Sequence, residues 1–470
     1  MTPPGPERER KAAEKAAERV DDDPIYKRDQ LATVLRMLKR ILVIASGVFL
    51  GVVLSLGAVR MAAAWGFWPN RELEQSSRYV REVLKLVNES YVDSSKAELP
   101  RLTEAALQGI VGSLDPHSEY MNARDYKLLE EEISSEFGGI GVQVELRNGN
   151  VVVIAPIAGT PGARAGMMRG DILVSIEGTK LEKPSLDDVV GRLRGKPGTV
   201  VKLGYTRPST GKDFEVTIRR ERIKVESVRD VRLRPDGIGY VQITQFSERT
   251  GEEFIEALNT LTAKNMRGLI IDLRDNPGGL LNAAVEVAEP FFTKGELIVY
   301  TQGRRREDRD EYRAAAPEPP LTLPVAVLIN AGSASAAEIV AGALKDTRRA
   351  VIVGERSFGK GSVQSILSLR EGEGLRLTTA RYYTPSGVTI HEKGVTPDVE
   401  IVMSPAEDDS ARIQRSRDDV VDPIEFKERF NVEPTPDRQL EAAVAILQAA
   451  LILENRGSAA VTGPVAAKHP

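Results

Sequence analysis

Three glycine-containing polar segments hold the residues that could do chemistry, and each directly follows a short apolar run. They are Asp272–Gly279 (DLRDNPGG), Asn330–Glu338 (NAGSASAAE) and Gly354–Gly361 (GERSFGKG). The 470-residue chain has no cysteine and only three histidines. Thiol nucleophiles are therefore excluded, and histidine catalysis has few candidates. A hydroxyl or an amine is the expected nucleophile.

Ser335 is the first candidate, because it stands where the apolar run 325–329 turns into a predicted helix. The positive end of a helix dipole favours the negative charge that develops on an attacking oxygen. Ser333 or Ser335 could instead only cap that helix, and Glu338 has the spacing of a capping-box partner for Ser335. The segment alone leaves both interpretations open.

Lys360 lies in a segment that nearly spells a phosphate-binding loop, G-x-x-x-x-G-K-[ST]. Gly361 replaces the required Ser or Thr, and residues 362–369 alternate like a strand where a helix is required. A solvated surface lysine is a further alternative. To act as a base for Ser335, Lys360 would need a pKa lowered by burial. Gln364, expected on the same strand face, could accept a hydrogen bond from it.

The Pro-Gly-Gly turn of the first segment brings backbone N–H groups close to a ligand with no Cβ in the way. A simple tight turn is the alternative. The N–H groups of Gly279 and Ala336 would complete the site as an oxyanion hole. We expect no metal and no cofactor.

Strand and helix patterns alternate along residues 219–403, which predicts a mostly parallel sheet covered by helices. Sites in such sheets form at the carboxyl ends of the strands. Residues 133–218 read as a compact module of short strands with glycine-rich turns. Helical spacing of the apolar residues predicts a small helical unit over 70–132. The same spacing near the C-terminus predicts a helical extension and tail over 404–470. The predicted fold class is α+β and multidomain.

An uncharged run, Ile41–Val59, extends over 19 positions, long enough to cross a membrane. A buried core helix is the alternative. Basic residues precede the run, so the positive-inside rule places residues 1–40, a charged and disordered tail, in the cytoplasm. Ala62–Ala64 could serve as a signal cleavage site, but the length of the run favours an uncleaved anchor. The net charge of −4 argues against a nucleic-acid partner.

The motifs, taken in their order along the chain, resemble those of the carboxyl-terminal processing peptidases, also called tail-specific proteases. The similarity spans about 72–403 and includes Leu114–Met121 (LDPHSEYM) and Phe137–Val142 (FGGIGV). It implies an α/β peptidase core with a mostly parallel sheet, an inserted PDZ domain and a helical N-terminal cap, to which the uncharged run adds one transmembrane helix. Ala337 departs from the family, where many relatives have serine.

The resemblance also implies roles for individual residues. These are Ser335 as nucleophile, Lys360 as general base, Gln364 as the residue that orients the lysine, and Gly279 and Ala336 as oxyanion donors. The 25-residue spacing from Ser335 to Lys360 fits the family and favours Ser335 over Ser333. Gly139, Ile140, Gly141 and Val142 would form the PDZ loop that captures a substrate carboxylate, although an ordinary hairpin is the alternative there.

The implied function is an extracytoplasmic serine endopeptidase anchored in the bacterial cytoplasmic membrane, with its catalytic part in the periplasm or outside the cell. Its partners would be proteins or peptides with free C-termini, and an adaptor protein or a homo-oligomer is compatible with the sequence. One alternative is an inactive PDZ scaffold that recruits other envelope proteases. A trypsin-like protease is another, but it would depend on His117 or His391 and on a Gly-x-Ser-x-Gly motif that the chain lacks.

Overall fold

The structure is a computed structural model that describes residues 24–64, 71–315, 319–416 and 422–461. The chain divides into two compact units, residues 1–103 and 104–470. The α-helices of the described residues are α1 (Pro24–Ala64), α2 (Arg71–Ser90), α3 (Leu99–Gly112), α4 (Ala123–Ser134), α5 (Pro161–Arg164), α6 (Leu186–Leu193), α7 (Thr250–Ala263), α8 (Leu281–Ala288), α9 (Ala336–Asp346), α10 (Pro405–Ser416), α11 (Pro423–Phe430) and α12 (Arg438–Val461).

The strands of the same residues form three sheets and a two-stranded ribbon. They are β1 (Glu119–Met121), β2 (Glu136–Gly139), β3 (Val142–Arg147), β4 (Asn150–Pro156), β5 (Ile172–Ile176), β6 (Thr179–Lys180), β7 (Val200–Arg207), β8 (Lys212–Arg219), β9 (Glu221–Lys224), β10 (Val228–Leu233), β11 (Ile238–Ile243), β12 (Gly268–Asp272), β13 (Leu297–Gly303), β14 (Arg309–Arg313), β15 (Val325–Ile329), β16 (Val351–Gly354), β17 (Ser362–Ser368), β18 (Gly374–Tyr383) and β19 (Val399–Glu400).

Helix α1 contains the apolar run, and within the described residues it alone is long and apolar enough to cross a membrane. The stretch Leu35–Ala58 has a mean hydropathy of 2.5 and none of it is buried. The helix begins at Pro24, so residues 24–40 are helical where the sequence predicted disorder. Proline is well tolerated in the first helical turn, and no glycine or proline follows before the apolar run. The rest of that predicted tail, 1–23, lies outside the described residues.

The β-rich module is an antiparallel sheet in the order β3-β4-β5-β7-β8, with β6 beside β5. Its core packs side chains of the sheet against Val189 and Leu193 of α6. Strand β3 pairs only with β4 among the described strands, so its other edge is open. Strands such as β5 and β7 agree with the short strands that the sequence predicted within residues 133–218.

The central sheet has the order β10-β11-β12-β15-β16-β19. The pair β10-β11 is antiparallel and the other four pairs are parallel. The apolar side chains of helices α7, α8 and α9 pack against one face of this sheet and are buried there. Helix α12 packs Ala443 and Leu447 with the opposite face. Strands β12 and β15 are fully buried, which is why they read as continuous apolar runs.

A second sheet follows the order β1-β18-β13-β14, with β17 also paired to β18. All of its pairs are antiparallel. Strand β14 consists mostly of charged residues and pairs along β13. Helices α10 and α11 precede α12 within residues 404–470, which the sequence predicted as a helical extension and tail. Helix α11 has local start signals, since Asp422 caps it and Pro423 is its first residue.

Candidate active site

The three polar segments meet at one edge of the central sheet. Strands β12, β15 and β16 are parallel neighbours, so their carboxyl ends lie side by side. Ser335 follows β15, Lys360 follows β16, and Gly279 follows β12. These three residues line a single cavity of about 330 Å³, together with Gln364 of β17. The structure therefore brings together residues that lie as far as 85 positions apart in the sequence.

Ser335 has a backbone conformation that non-glycine residues rarely adopt, with φ 53° and ψ −113°. It is the N-cap residue of α9, and its N–H donates to Glu338 at 2.8 Å, so the predicted capping position is confirmed. Ser335 also lines the cavity, so capping and nucleophile roles are compatible. Ser333 differs, because its buried hydroxyl donates to the Leu273 carbonyl at 2.7 Å and belongs to the loop structure.

The Pro-Gly-Gly turn lies directly against Ser335. A Cβ on Gly278 would be 2.6 Å from the Ser335 Cβ and 2.9 Å from the Ala336 nitrogen. Only glycine allows that approach. The turn is held by Phe246, whose N–H donates to Gly278 O and whose carbonyl accepts from Leu280 N–H.

That pairing leaves the N–H of Gly279 without an acceptor among the described residues. The N–H of Ala336, in the first turn of α9, likewise has no acceptor in the described chain. One N–H comes from the turn and the other from the helix N-terminus beside the cavity. Two such donors can stabilise an oxyanion.

Glu338 is a fully buried carboxylate that connects the Ser335 and Lys360 segments. Its Oε2 accepts from the N–H of Ser335 at 2.8 Å and from the N–H of Lys360 at 2.9 Å. Its Oε1 accepts from Ser357 Oγ at 2.5 Å and from Gly359 N–H at 2.7 Å. Burial raises the pKa of Glu338, while the four donors act in the opposite direction. Because every partner donates, the arrangement suits the ionised form.

Tyr382 of β18 provides a second connection. Its buried hydroxyl lies within hydrogen-bonding reach of the Ser335 carbonyl, at 3.2 Å, and of the Lys360 carbonyl. A hydroxyl has one proton, so these two carbonyls share a single donor. Burial raises the pKa of Tyr382 well above its usual value, which keeps this donor protonated at neutral pH.

The amine of Lys360 is destabilised in its charged form. Burial lowers the pKa of Lys360, and the positive charge of Arg376 lowers it further, while Asp115 opposes them. Arg376 also lines the cavity. His117 lies near the same group, since burial first and then Lys360 lower the pKa of His117. A lysine in these surroundings is a candidate proton acceptor.

Gln364 does not share a strand with Lys360, contrary to the sequence prediction. Lys360 lies in the loop before β17, which begins at Ser362, because the Gly359–Gly361 turn packs against other loops. The Gln364 amide nitrogen donates to Ser362 Oγ at 2.8 Å and lies 3.4 Å from Thr378 Oγ1. Both Lys360 and Gln364 nevertheless face the same cavity.

The motif at 114–121 is connected to the site by hydrogen bonds through Thr378. Thr378 Oγ1 donates to Asp115 at 3.2 Å, and the Thr378 N–H donates to Ser118 Oγ at 3.1 Å. The Ser118 hydroxyl donates to the second Asp115 oxygen at 2.8 Å. Asp115, Ser118, Thr378 and Gln364 thus form one polar chain that ends at the cavity.

The first segment also carries a buried ion pair with a structural role. Arg274, whose side chain is fully buried, contacts Asp272 at 2.6 Å and Asp437 at 2.7 Å. Tyr240 donates to the same Asp272 at 2.7 Å. This network ties the start of α12 to the loop that precedes Gly279.

The candidate carboxylate loop lies in the β-rich module, apart from the cavity. Gly141 has φ 70°, and a Cβ there would lie 2.4 Å from Thr160. The Ile157 N–H donates to the Gly141 carbonyl at 2.9 Å. By the antiparallel alternation, the N–H and C=O groups of Val142 then face the open edge of β3. Gly139 ends β2, and Ile140 is buried between the two strands.

Comparison with known proteins identifies two parts of the chain. Residues 237–401 match peptidase family S41, and residues 138–218 match the PDZ domain. A carboxy-terminal-processing protease of Bartonella bacilliformis is 39% identical over 371 residues, which is 78% of this chain and 83% of that protein. The carboxy-terminal processing protease CtpA of Bacillus subtilis is 38% identical over 306 residues, 65% of each chain. A solved photosystem II D1 C-terminal processing protease is 30% identical, covering 68% of this chain and 92% of its own, with a TM-score of 0.40.

The fold and these matches define a serine peptidase that carries a PDZ domain. The chain belongs to peptidase family S41, with the carboxy-terminal processing proteases as its relatives.

Sequence reasoning missed several residues of the site. Glu338 was considered only as a cap partner, and its contact with Lys360 needs the loop after β16 to fold back onto α9. Tyr382 and Arg376 lie on β18 and carried no signal, because nothing in their local pattern indicates a cavity. Asp115 stood in a motif that was recognised but had no assigned role. Among the described residues, no group of three or more His, Asp or Glu side chains could hold a metal ion.

Proposed function

We propose that this protein is an extracytoplasmic, membrane-anchored endopeptidase that recognises substrate C-termini through its PDZ domain and cleaves peptide bonds with a Ser–Lys pair. The observation that carries the proposal is the cavity that Ser335, Lys360, Gln364 and Gly279 line together. Membership of a serine peptidase family and the lowered pKa of Lys360 support it.

The proposed mechanism begins with a neutral Lys360 that removes the proton of the Ser335 hydroxyl as its oxygen attacks the substrate carbonyl. The N–H groups of Gly279 and Ala336 stabilise the resulting oxyanion. The Lys360 ammonium then gives its proton to the departing amine, and the acyl group stays on Ser335. A water molecule, deprotonated by the again neutral Lys360, releases the acyl group and restores both residues.

Gln364 orients the lysine in this proposal, and its own position depends on Ser362 and Thr378. Its side-chain oxygen is the group that would accept a hydrogen bond from the amine.

Labelling by a serine-reactive fluorophosphonate tests the proposal. We expect the full chain in detergent to be labelled at one position, and Ser335→Ala to abolish the label. Ser386→Ala, which removes a surface hydroxyl bonded to Asp346, is the matched control and should label normally. Failure of the unmodified, folded chain to react would favour the inactive PDZ scaffold.

The charges around Lys360 predict opposite shifts in the pH profile of kcat/KM. Activity requires the neutral amine, so it rises with pH through the Lys360 pKa. Asp115→Asn removes a charge that raises this pKa, so the acidic limb should move to lower pH. Arg376→Gln removes a charge that lowers it, so the limb should move to higher pH.

Charge-conserving variants separate electrostatics from packing in that experiment. Asp115→Glu and Arg376→Lys should keep the acidic limb in place even where the maximal rate falls. Shifts of Asp115→Asn and Arg376→Gln in the same direction would contradict Lys360 as the titrating base.

Substrate tails would bind by adding a strand to the open edge of β3, with their carboxylate at Gly139, Ile140, Gly141 and Val142. We expect Gly141→Ala to weaken binding of a fluorescent peptide with a free carboxylate by about tenfold or more, because its Cβ meets Thr160 and its φ is positive. Gly149→Ala also has positive φ but open space around it, so it should bind within about twofold of the unmodified chain. Equal weakening by both variants, measured by fluorescence anisotropy, would rule out this loop.

The anchor and the location rest on the apolar helix and the charges that flank it. Residues 1–40 would lie in the cytoplasm, and α1 would span the cytoplasmic membrane. The proposed PDZ domain, 133–218, and peptidase core, 219–403, enclose both family matches. Protein or peptide substrates are the implied partners, and an adaptor or a homo-oligomer is compatible with the proposal.

A further inference from the structure

The two oxyanion donors of the candidate site lie on different loops. Gly279 belongs to the loop after β12, and Ala336 follows the loop after β15. Donors of this kind stabilise an oxyanion best when they are held in position before the oxygen acquires its charge. The contacts between the two loops therefore determine how well the site is prepared.

Asp275 and Asn330 form a reciprocal pair between these loops. The Asp275 N–H donates to Asn330 Oδ1, and Asn330 Nδ2 donates to Asp275 Oδ1, both at 2.9 Å. The Gly332 N–H donates to the same Asn330 oxygen at 3.1 Å. A Cβ on Gly332 would lie 2.9 Å from the Asp275 Cα, so glycine is what allows the loops to approach so closely. Asn330 is buried, which shields the pair from water.

Both loops contain a residue with an uncommon backbone conformation. Asp275 has φ 57°, and Ser335 has φ 53°. Such conformations cost free energy in residues with a Cβ and persist where the surrounding contacts hold them. The pair with Asn330 holds Asp275 by its main chain and by its side chain. It therefore fixes the start of the turn that leads to Gly279.

The C-terminal extension holds Asp275 from the other side. Arg415, near the end of α10, donates to the second Asp275 oxygen at 2.8 Å. The Arg415 side chain is only 9% exposed and also lies 3.8 Å from Asp437, just before α12. A charge-assisted hydrogen bond with little exposure to water is stronger than one on the open surface. Helix α10 is thus connected directly to the loop that carries an oxyanion donor.

We propose that Asp275 is a positioning residue that fixes the distance between the two oxyanion donors. It does so through Asn330 on one side and Arg415 on the other. The C-terminal extension is then part of the structure that supports catalysis. Loss of the pairing would leave peptide binding in place and weaken stabilisation of the oxyanion. This inference rests on the proposed peptidase function and identifies the residues that prepare its oxyanion hole.

An exchange of the amide and the carboxylate tests the pair. Asn330→Asp places a second carboxylate against Asp275, and the repulsion should lower kcat about 30-fold while KM stays within about twofold. Adding Asp275→Asn to this variant restores one amide and one carboxylate, and the oxygen of the new amide can still accept from Arg415. The double variant should regain kcat to within about threefold of the unmodified chain. The rates are measured at a temperature where melting curves show all variants to be folded.

Inhibition by a peptide aldehyde distinguishes positioning from a general loss of stability. The Ser335 oxygen adds to the aldehyde carbon, its proton passes to Lys360, and the former carbonyl oxygen occupies the oxyanion hole. The inhibition constant should rise in Asn330→Asp by about the factor by which kcat falls. The matching peptide alcohol forms no such adduct, so its inhibition constant should not change. Equal weakening of both inhibitors would indicate a damaged peptide site and would overturn the inference.

Arg415→Gln tests the C-terminal extension without bringing like charges together. We expect kcat to fall about fivefold, because Asp275 loses its charged donor. Arg412→Gln on the same helix removes a surface ion pair with Asp409 and is the matched control, which should keep the normal kcat. Equal rates for the two variants would contradict a role for the extension in positioning Asp275.

The outcomes separate this inference from the proposed function. Normal kcat in folded Asn330→Asp, or no recovery on adding Asp275→Asn, would overturn the positioning role alone, provided that the unmodified chain is labelled at Ser335. Absence of that label in the unmodified chain would overturn the peptidase mechanism, and the positioning role with it.

Discussion

Ser335→Ala, Lys360→Ala and the double variant are expected to cleave an unfolded protein at the same residual rate, roughly 10³-fold or more below the unmodified chain. The serine attacks only when its proton has an acceptor, and without Ser335 no acyl-enzyme forms for Lys360 to hydrolyse with water. Removing either residue therefore removes the whole step. The second substitution then has nothing further to remove.

The measurement is the initial rate of cleavage of an unfolded protein by the full chain in detergent. Lys345→Ala is the matched control, because Lys345 is on α9 and pairs with Asp398 outside the cavity. It should keep the normal rate. If the fold-loss in rate of the double variant equals the product of the two single fold-losses, Ser335 and Lys360 act in separate steps. That result would contradict the proposed pair.

The pH dependence follows from the surroundings of the amine. Burial and Arg376 lower the pKa of Lys360 from its usual 10.5. The neutral base is thus populated at lower pH than for a solvated lysine. We expect kcat/KM to rise as the pH increases through the Lys360 pKa.

The order of elements in the peptidase core was readable from the sequence, because its strands are buried on both faces. Strands β12 and β15 show as unbroken apolar runs bounded by glycine-containing turns. Parallel neighbours then bring their carboxyl ends together, which is why segments distant in the chain could be assigned to one site. The family matches confirm the class of enzyme, while the roles of individual residues remain proposals.

The contacts that fix the geometry could not be read in the same way. Tyr382 reaches the carbonyl of Ser335, 47 positions earlier, only because β17 and β18 form a hairpin beside α9. Gln364 was expected to share a strand with Lys360, but β17 starts after the lysine. Asp115 acts through Thr378, 263 residues away. Periodicity predicts which face of an element is buried, and it gives no information on such long-range polar partners.

Glu338→Gln is expected to lower kcat by about 100-fold, with a small change in KM. The two oxygens of the carboxylate accept hydrogen bonds from four donors, and Oε2 accepts from the N–H groups of both Ser335 and Lys360. An amide replaces one oxygen by an NH₂ group, which faces two N–H groups at the Oε2 position, or the Gly359 N–H and the Ser357 hydroxyl at the Oε1 position. Leaving buried donors unpaired costs about 1–3 kcal/mol each. With the NH₂ group at the Oε2 position, the Ser335 and Lys360 N–H groups lose the acceptor that holds their segments together. With the NH₂ group at the Oε1 position, the Gly359 N–H beside Lys360 loses its acceptor.

Two comparisons distinguish positioning from a general loss of stability. Ser357→Ala removes one donor to Oε1 and leaves the Oε2 contacts with Ser335 and Lys360 in place, so its loss of kcat should be several-fold smaller than that of Glu338→Gln. Glu256→Gln, on the exposed side of α7, should change neither kcat nor the melting temperature. The decisive quantity is the rate of fluorophosphonate labelling at a temperature where all variants remain folded, since this reaction needs an aligned Ser335 but no bound peptide. Normal labelling and normal kcat in folded Glu338→Gln would show that the carboxylate stabilises the fold without setting the geometry of the pair.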